Sequence, residues 1–225
     1  MVGKLRGRRW RSGGPSRAAG EPRRGYPGWF VAVEGGDGAG KSTQLTALAA
    51  WLRGRGFEVV STREPGGTPL GESIRTLVLD GPEMSAWAEA GLFAAARAEH
   101  VAAVIRPALA RGAAVVCDRY VDSSVVYQGI ARGLGAERVL ELNLAVTEGL
   151  LPDRTFVLDV DPDTARARHS AGLDRIEREH DEFRRTVAEG FRRLAELFPV
   201  RVVALDGNLP LEEIAARVDD NVRAL

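Results

Sequence analysis

The chain has 225 residues, 44% hydrophobic and 28% charged, a composition that sustains one large domain, or one domain with a small extra piece. Its single cysteine excludes an internal disulfide framework, no apolar run reaches the roughly 18 residues of a membrane span, and its three histidines (His100, His169, His180) lack zinc-ligand spacing. The 31 basic and 31 acidic residues cancel but are unevenly placed: residues 1–28 hold eight basic residues and one acid, a charge of +7, which leaves −7 for residues 29–225.

Residues 1–28 are rich in Gly, Pro, Ser and Arg, without apolar periodicity, and read as a disordered basic arm rather than a secretory signal. From Trp29 onward short apolar runs alternate with amphipathic stretches. Strands are predicted at 29–34, 57–62, 113–118, 154–160 and 200–205, and their continuous apolar character suits buried parallel strands. Helices are predicted at 41–53, 71–79, 85–111, 136–150, 177–197 and 211–223, and Pro107 should bend or shorten the long one. The alternation implies a three-layer α/β domain over residues 29–225 with helices on both faces of a parallel sheet.

Gly35, Gly36, Asp37, Gly38, Ala39, Gly40, Lys41 and Ser42 fit the phosphate-loop pattern G-x-x-x-x-G-K-[ST], between the first predicted strand and the first predicted helix. Glycines let such a loop aim its N–H groups at phosphate oxygens, and the helix behind it adds a positive end. Lys41 is one of two lysines among 29 arginines and is expected to reach the β- and γ-phosphates, with the Ser42 hydroxyl on Mg²⁺. The third strand ends Val115-Val116-Cys117-Asp118-Arg119-Tyr120. Asp118 beside the loop can hold Mg²⁺ through water. Arg119 next to it implies a second phosphate nearby, hence phosphoryl transfer between two nucleotides. No N-K-x-D guanine reader occurs. Cys117 reads as a small core residue.

Five segments together resemble the thymidylate kinases of the bacterial kind: FVAVEGGDGAGKST (30–43), TREPGGTPLGE (62–72), LFAAAR (92–97), CDRYVDSSVVYQG (117–129) and LDRIE (173–177). The resemblance implies a P-loop fold with a five-stranded parallel sheet in the order 2-3-1-4-5, a helical lid at about 162–182, and the reaction ATP + dTMP → ADP + dTDP with Mg²⁺. It also implies the site. The loop through Thr43 takes ATP, and Asp37 accepts from the sugar 3′-hydroxyl. Arg63 and Arg119 hold the acceptor phosphate, bidentate arginine suiting a dianion. Phe93 stacks on thymine and Arg97, one turn on, donates to its carbonyl; read alone, Phe93 is a core residue of an amphipathic helix. Tyr127 crowds the 2′ position, Gln128 sits near the base edge, and Ser123 and Ser124 help hold the base or cap a helix. In this family the catalytic arginine comes from the loop or from the lid. Gly38 stands at the loop position, so the lid must supply it, Arg168 first and then Arg166, although Ser170 departs from the arginine common in bacterial relatives. Asp206–Asn208, after the last strand, fits the usual place of adenine.

The resemblance further implies a cytoplasmic homodimer, with Leu92–Val104 either interface or core, and gives membranes and nucleic acid no part. Two other readings compete: a kinase of another nucleoside or nucleoside monophosphate on the same fold, and a nucleotide-binding regulatory or DNA-associated protein that uses the basic arm.

Overall fold

The structure is a computed structural model that describes residues 26–168, 174–176 and 178–223. Most of the basic arm lies outside the described residues, as do Ser170, Leu173 and Glu177.

Five parallel strands form one sheet in the order β2-β3-β1-β4-β5: β1 (Phe30–Gly35), β2 (Val59–Arg63), β3 (Ala114–Asp118), β4 (Arg154–Asp159) and β5 (Val202–Asp206). This is the expected order. Side chains of β1 alternate between two cores. Phe30 and Ala32 join Val115, Cys117 and Phe191 on one face, while Val31 and Val33 join Leu48, Leu52, Val116 and Ile214 on the other. Both faces are covered, so the strands are apolar throughout rather than at every second position.

Helices α1 (Lys41–Gly54), α2 (Pro69–Asp80) and α3 (Ala86–His100) follow the first two strands. Thr68 caps α2 by accepting from the Gly71 N–H at 2.9 Å, with Pro69 at the first position, and Ser85 caps α3 by accepting from Ala88. The long predicted helix continues past His100, but not as an α-helix. Val101–Ile105 is a π-helical turn in which the Arg106 N–H reaches the Val101 carbonyl, and α4 (Arg106–Ala110) resumes behind it. Pro107 has no N–H to give to the ladder, and the widened turn precedes it.

A short α5 (Val121–Ser124), a second π-helical stretch (Val125–Ala131) and α6 (Ala136–Val146) lead into β4. α6 stops four residues before the predicted end, at Thr147, ahead of Gly149 at φ 74°. Then come α7 (Pro162–Arg168), α8 (Asp181–Leu197) and α9 (Leu211–Arg223). Among the described residues no helix is long and apolar enough to cross a membrane.

Registers place Val33 beside Asp118 and Asp118 beside Arg63. The carboxyl ends of β1, β2 and β3 therefore lie together, where an open α/β sheet binds its ligand.

Candidate active site

The loop after β1 closes tightly. Gly38 has φ 78°, and a Cβ there would lie 2.0 Å from the Ala165 carbonyl oxygen of α7. Only glycine fits, and the helix carrying Arg166 and Arg168 is thereby brought against the loop. The side chains of these two arginines lie outside the described residues. Lys41 is buried at the start of α1, and its Nζ donates to the Gly36 carbonyl at 2.8 Å and to Gly35 at 3.3 Å, 3.8 Å from the Asp37 carboxylate. Burial, reinforced by the Arg119 charge, holds its amine below the ordinary range. Ser42 and Thr43 are exposed at the helix start.

Ser42 lines a depression together with Thr62, Arg63 and Asp118. The Asp118 Oδ1 is buried and has no hydrogen-bond partner among the described residues. A buried carboxylate oxygen left over beside a hydroxyl suits a hard cation that keeps most of its water and takes few protein ligands. No cluster of three or more His, Cys, Asp or Glu side chains that could hold a metal occurs among the described residues. This pair of donors suits a divalent cation brought in with phosphates better than a dedicated metal cage.

A second cavity opens beside the loop, and Asp37, Phe93, Arg97, Arg119, Tyr127 and Gln128 are among the residues lining it; Ser123 and Ser124 reach it too. Arg119 joins cavity and loop. Its backbone is left-handed, at φ 64°, an uncommon conformation for a non-glycine residue. Its Nη1 donates to the Gly35 carbonyl at 3.0 Å and to the Ser123 hydroxyl at 3.2 Å, and its Nη2 donates to Asp37. Its guanidinium carbon lies 5.3 Å from the Tyr127 ring centroid, and the Tyr127 hydroxyl reaches Asp37 Oδ2 at 3.5 Å. Burial pushes the Tyr127 phenol well up, so it stays protonated.

Arg97 is only 2% exposed. Its Nε donates to Glu64 Oε2 at 2.6 Å, Nη1 donates to Ser124 at 3.0 Å and to Asn143, and Nη2 donates to the Tyr120 carbonyl at 3.0 Å. A guanidinium has five N–H groups. Four are engaged by described residues, which fixes the side chain and leaves one on Nη2 without a described partner. Glu64 also accepts from His100 Nδ1 at 2.9 Å, and His100 Nε2 lies 2.6 Å from the Thr62 hydroxyl. Ser124 is therefore a partner of Arg97, not a helix cap.

Arg63 is not brought to this cavity. It is exposed, and its Nη2 donates to both Glu72 oxygens at 2.8 and 3.0 Å. Strand alternation explains this: Thr62 and Glu64 bond to His100 and Arg97 of α3, so Arg63 between them points away from α3. Arg75 of α2 lines the cavity instead and donates to the Pro65 carbonyl at 3.0 Å. Sequence reading missed it, although its place two turns into a capped helix after TREPGGT marks it as near the loop.

Glu34, also missed, is fully buried at the end of β1. It accepts from the Tyr120 and Ser123 N–H groups at 2.8 and 3.1 Å and from the Ser123 hydroxyl at 2.5 Å. Burial, with Asp122 adding to it, outweighs these bonds and pushes its carboxyl up to about 7. Its position in VAVEGG, directly before the loop, was the available signal. Asp206 and Asn208 line a third hollow with Asp159, Asp161 and Arg192 at the ends of β4 and β5.

A phosphate loop with the Ser42–Asp118 depression on one side and, through Arg119 and Asp37, a second cavity on the other has the architecture of a P-loop phosphotransferase with two substrates. The family model described as thymidylate kinase matches residues 33–218. The thymidylate kinase of Leifsonia xyli subsp. xyli is 52% identical over 196 residues, 85% of this chain and 93% of that one. That of Synechococcus sp. strain JA-3-3Ab is 50% identical over 190 residues, 84% and 92% of the two chains. The crystal structure of thymidylate kinase from Ehrlichia chaffeensis superposes with a TM-score of 0.72 at 32% identity, covering 87% of this chain and 98% of that one. The chain belongs to the thymidylate kinase family.

Proposed function

We propose that the glycine loop holds ATP, the cavity behind Arg119 holds dTMP, and the chain moves the γ-phosphoryl group from one to the other, giving ADP and dTDP. Family membership carries the activity. The observation that carries the placement is the Arg119–Asp37 pair, which ties the cavity lined by Phe93 and Arg97 directly to the phosphate loop.

The acceptor phosphate is already anionic, so no strong base is needed, and the work is positioning and charge neutralisation. Loop amides and Lys41 take the β- and γ-phosphates. Arg119 and Arg75 take the acceptor phosphate, in place of Arg63. Asp37, held by Arg119, accepts from the sugar hydroxyl, and Tyr127 closes the 2′ side. Phe93 covers the base and Arg97 gives its remaining N–H to a base carbonyl. Arg168 or Arg166 of α7 supplies the charge that meets the transferring group; the approach of Ala165 to Gly38 supports that placement. Ser42 and Asp118 would hold Mg²⁺, which when bound neutralises the phosphates. We further propose a cytoplasmic homodimer; the exposed Leu70, Leu77 and Trp87 on α2 and α3 offer apolar surface for it.

ADP release with ATP, Mg²⁺ and dTMP, dUMP, dCMP, dGMP or AMP tests the reading. dTMP should be preferred by orders of magnitude over dCMP and the purines; preference for another acceptor would overturn the assignment of Phe93, Arg97 and Gln128. Lys41→Ala should lose roughly 10²–10³-fold in kcat with its circular dichroism unchanged; normal turnover would remove Lys41 from the mechanism.

A further inference from the structure

Glu89 lies on α3 one turn before Phe93 and is 1% exposed. Three donors converge on it from different elements. The Gln128 Nε2 donates to its Oε1 at 2.9 Å, and the Arg175 Nη2 donates to its Oε2 at 2.7 Å. Arg132 donates to both oxygens at 3.3 Å. The two arginines are themselves anchored. The Arg175 Nε and backbone N–H donate to the Val78 and Leu79 carbonyls, each at 2.9 Å, and Arg132 also holds Glu179. Burial pushes the Glu89 carboxyl up, but the hydrogen bonds from Gln128 and Arg175 and the Arg132 charge outweigh it and hold the group below the usual carboxylate range.

An ionised carboxylate only accepts hydrogen bonds. The Gln128 carboxamide must therefore turn its NH₂ to Glu89 and its carbonyl oxygen the other way. Rotating the amide would set that oxygen against a buried anion. Gln128 lines the cavity beside Phe93 and Arg97, and its carbonyl oxygen accepts no hydrogen bond from a described residue. The base thus meets a fixed acceptor from Gln128 and a fixed donor from Arg97. Thymine offers the complement, an imide N–H next to a carbonyl. Cytosine offers the reverse, a ring nitrogen that accepts next to an amino group that donates.

We propose that Glu89 is a positioning residue for base specificity: it locks Gln128 with its carboxamide oxygen toward the cavity, so that an imide is taken and a cytosine edge is refused. The proposal rests on the reading that the cavity holds dTMP.

Glu89→Asp keeps the charge that Arg132 and Arg175 need but withdraws it by one methylene. The measurement is kcat/KM for dTMP and dCMP in the wild type, E89D, Q128L and E89D/Q128L, with unfolding midpoints alongside. E89D should lower the dTMP:dCMP ratio about tenfold, the worth of one misdirected hydrogen bond. In the Q128L background the Glu89 change should leave the ratio unmoved. A discriminating wild type with an unchanged ratio in E89D, or the same drop with and without Gln128, overturns the proposal. Equal use of dTMP and dCMP by the wild type overturns the base reading and the proposal with it.

A second measurement needs no variant. Gln44 and Gln128 are the two glutamines of the chain, so ¹⁵N-glutamine labelling of the side chains gives two amide groups to follow by NMR. The Gln128 NH₂ protons should be protected from exchange both free and with dTMP. Rapid exchange in the dTMP complex would overturn the lock.

Discussion

Glu34 is a carboxylate placed where water cannot reach it, and three donors do not compensate for that loss. Its group is lifted from 4.5 to about 7 in the folded chain. The sign follows. Between these two values the folded state holds a proton that the unfolded state has released, so stability falls as pH rises through that window and levels off above it. Glu34→Gln removes the titration. The unfolding free energy of the wild type minus that of E34Q should therefore decline from pH 5 to pH 7 and flatten above, in urea titrations at several pH values. A difference that is flat or rises across that window would show that Glu34 is ionised throughout. The link to function is short: the Ser123 hydroxyl that donates to Glu34 accepts from Arg119, so this carboxylate sets one of the contacts that hold the central arginine of the site.

At the scale of elements, the contact that matters is α7 against the phosphate loop. Gly38 at φ 78° and the 2.0 Å gap from a would-be Cβ to the Ala165 carbonyl oxygen mean that any side chain here must move α7. Gly38→Ala should lower kcat roughly 10–100-fold, the effect of an angstrom-scale misplacement, while dTMP affinity by calorimetry stays within about twofold, a difference of only a few tenths of a kcal/mol. Equal loss of both would mean that the loop itself, not α7, had been disturbed. The strands were legible because burial on both faces writes them as unbroken apolar runs, and the loop because its glycines are fixed by backbone geometry. The helical segment Val121–Ala131 was not. Val121 to Gly129 is buried all round, so it lacks the polar face that makes a helix readable. Arg63 lies outside the cavity for a different reason. The motif marks the strand end, but which side an arginine faces there depends on pairing register, and Thr62 and Glu64 took the side toward α3. The carboxylates Glu34, Glu64 and Glu89 were invisible because their partners lie far along the chain, 89 residues away for the Glu34–Ser123 bond and 86 for Glu89–Arg175.

For the whole molecule, the basic arm carries the charge imbalance. The family model begins at residue 33, and the cavity, the loop and the Ser42–Asp118 depression are all built from residues 34 onward. The folded part has its own tie at the start, since the Gly28 N–H donates to the Leu109 carbonyl at 3.0 Å. A cut after residue 25 therefore leaves that tie and every site residue in place. It removes a charge of +7 and leaves a net −7 on the rest. Both substrates are anions, and at 0.15 M salt a field is screened over about 8 Å. We expect the chain from residue 26 to keep its kcat and unfolding midpoint, and to match the full chain in KM for ATP and dTMP at 0.15 M salt. At 10 mM salt, where screening reaches about 30 Å, its KM values should rise above those of the full chain, because the +7 no longer offsets the acidic surface. Lost turnover at 0.15 M salt would instead make residues 1–25 part of the catalytic unit. DNA binding by the full chain that weakens with salt and disappears with the cut would give the arm a purpose separate from phosphoryl transfer.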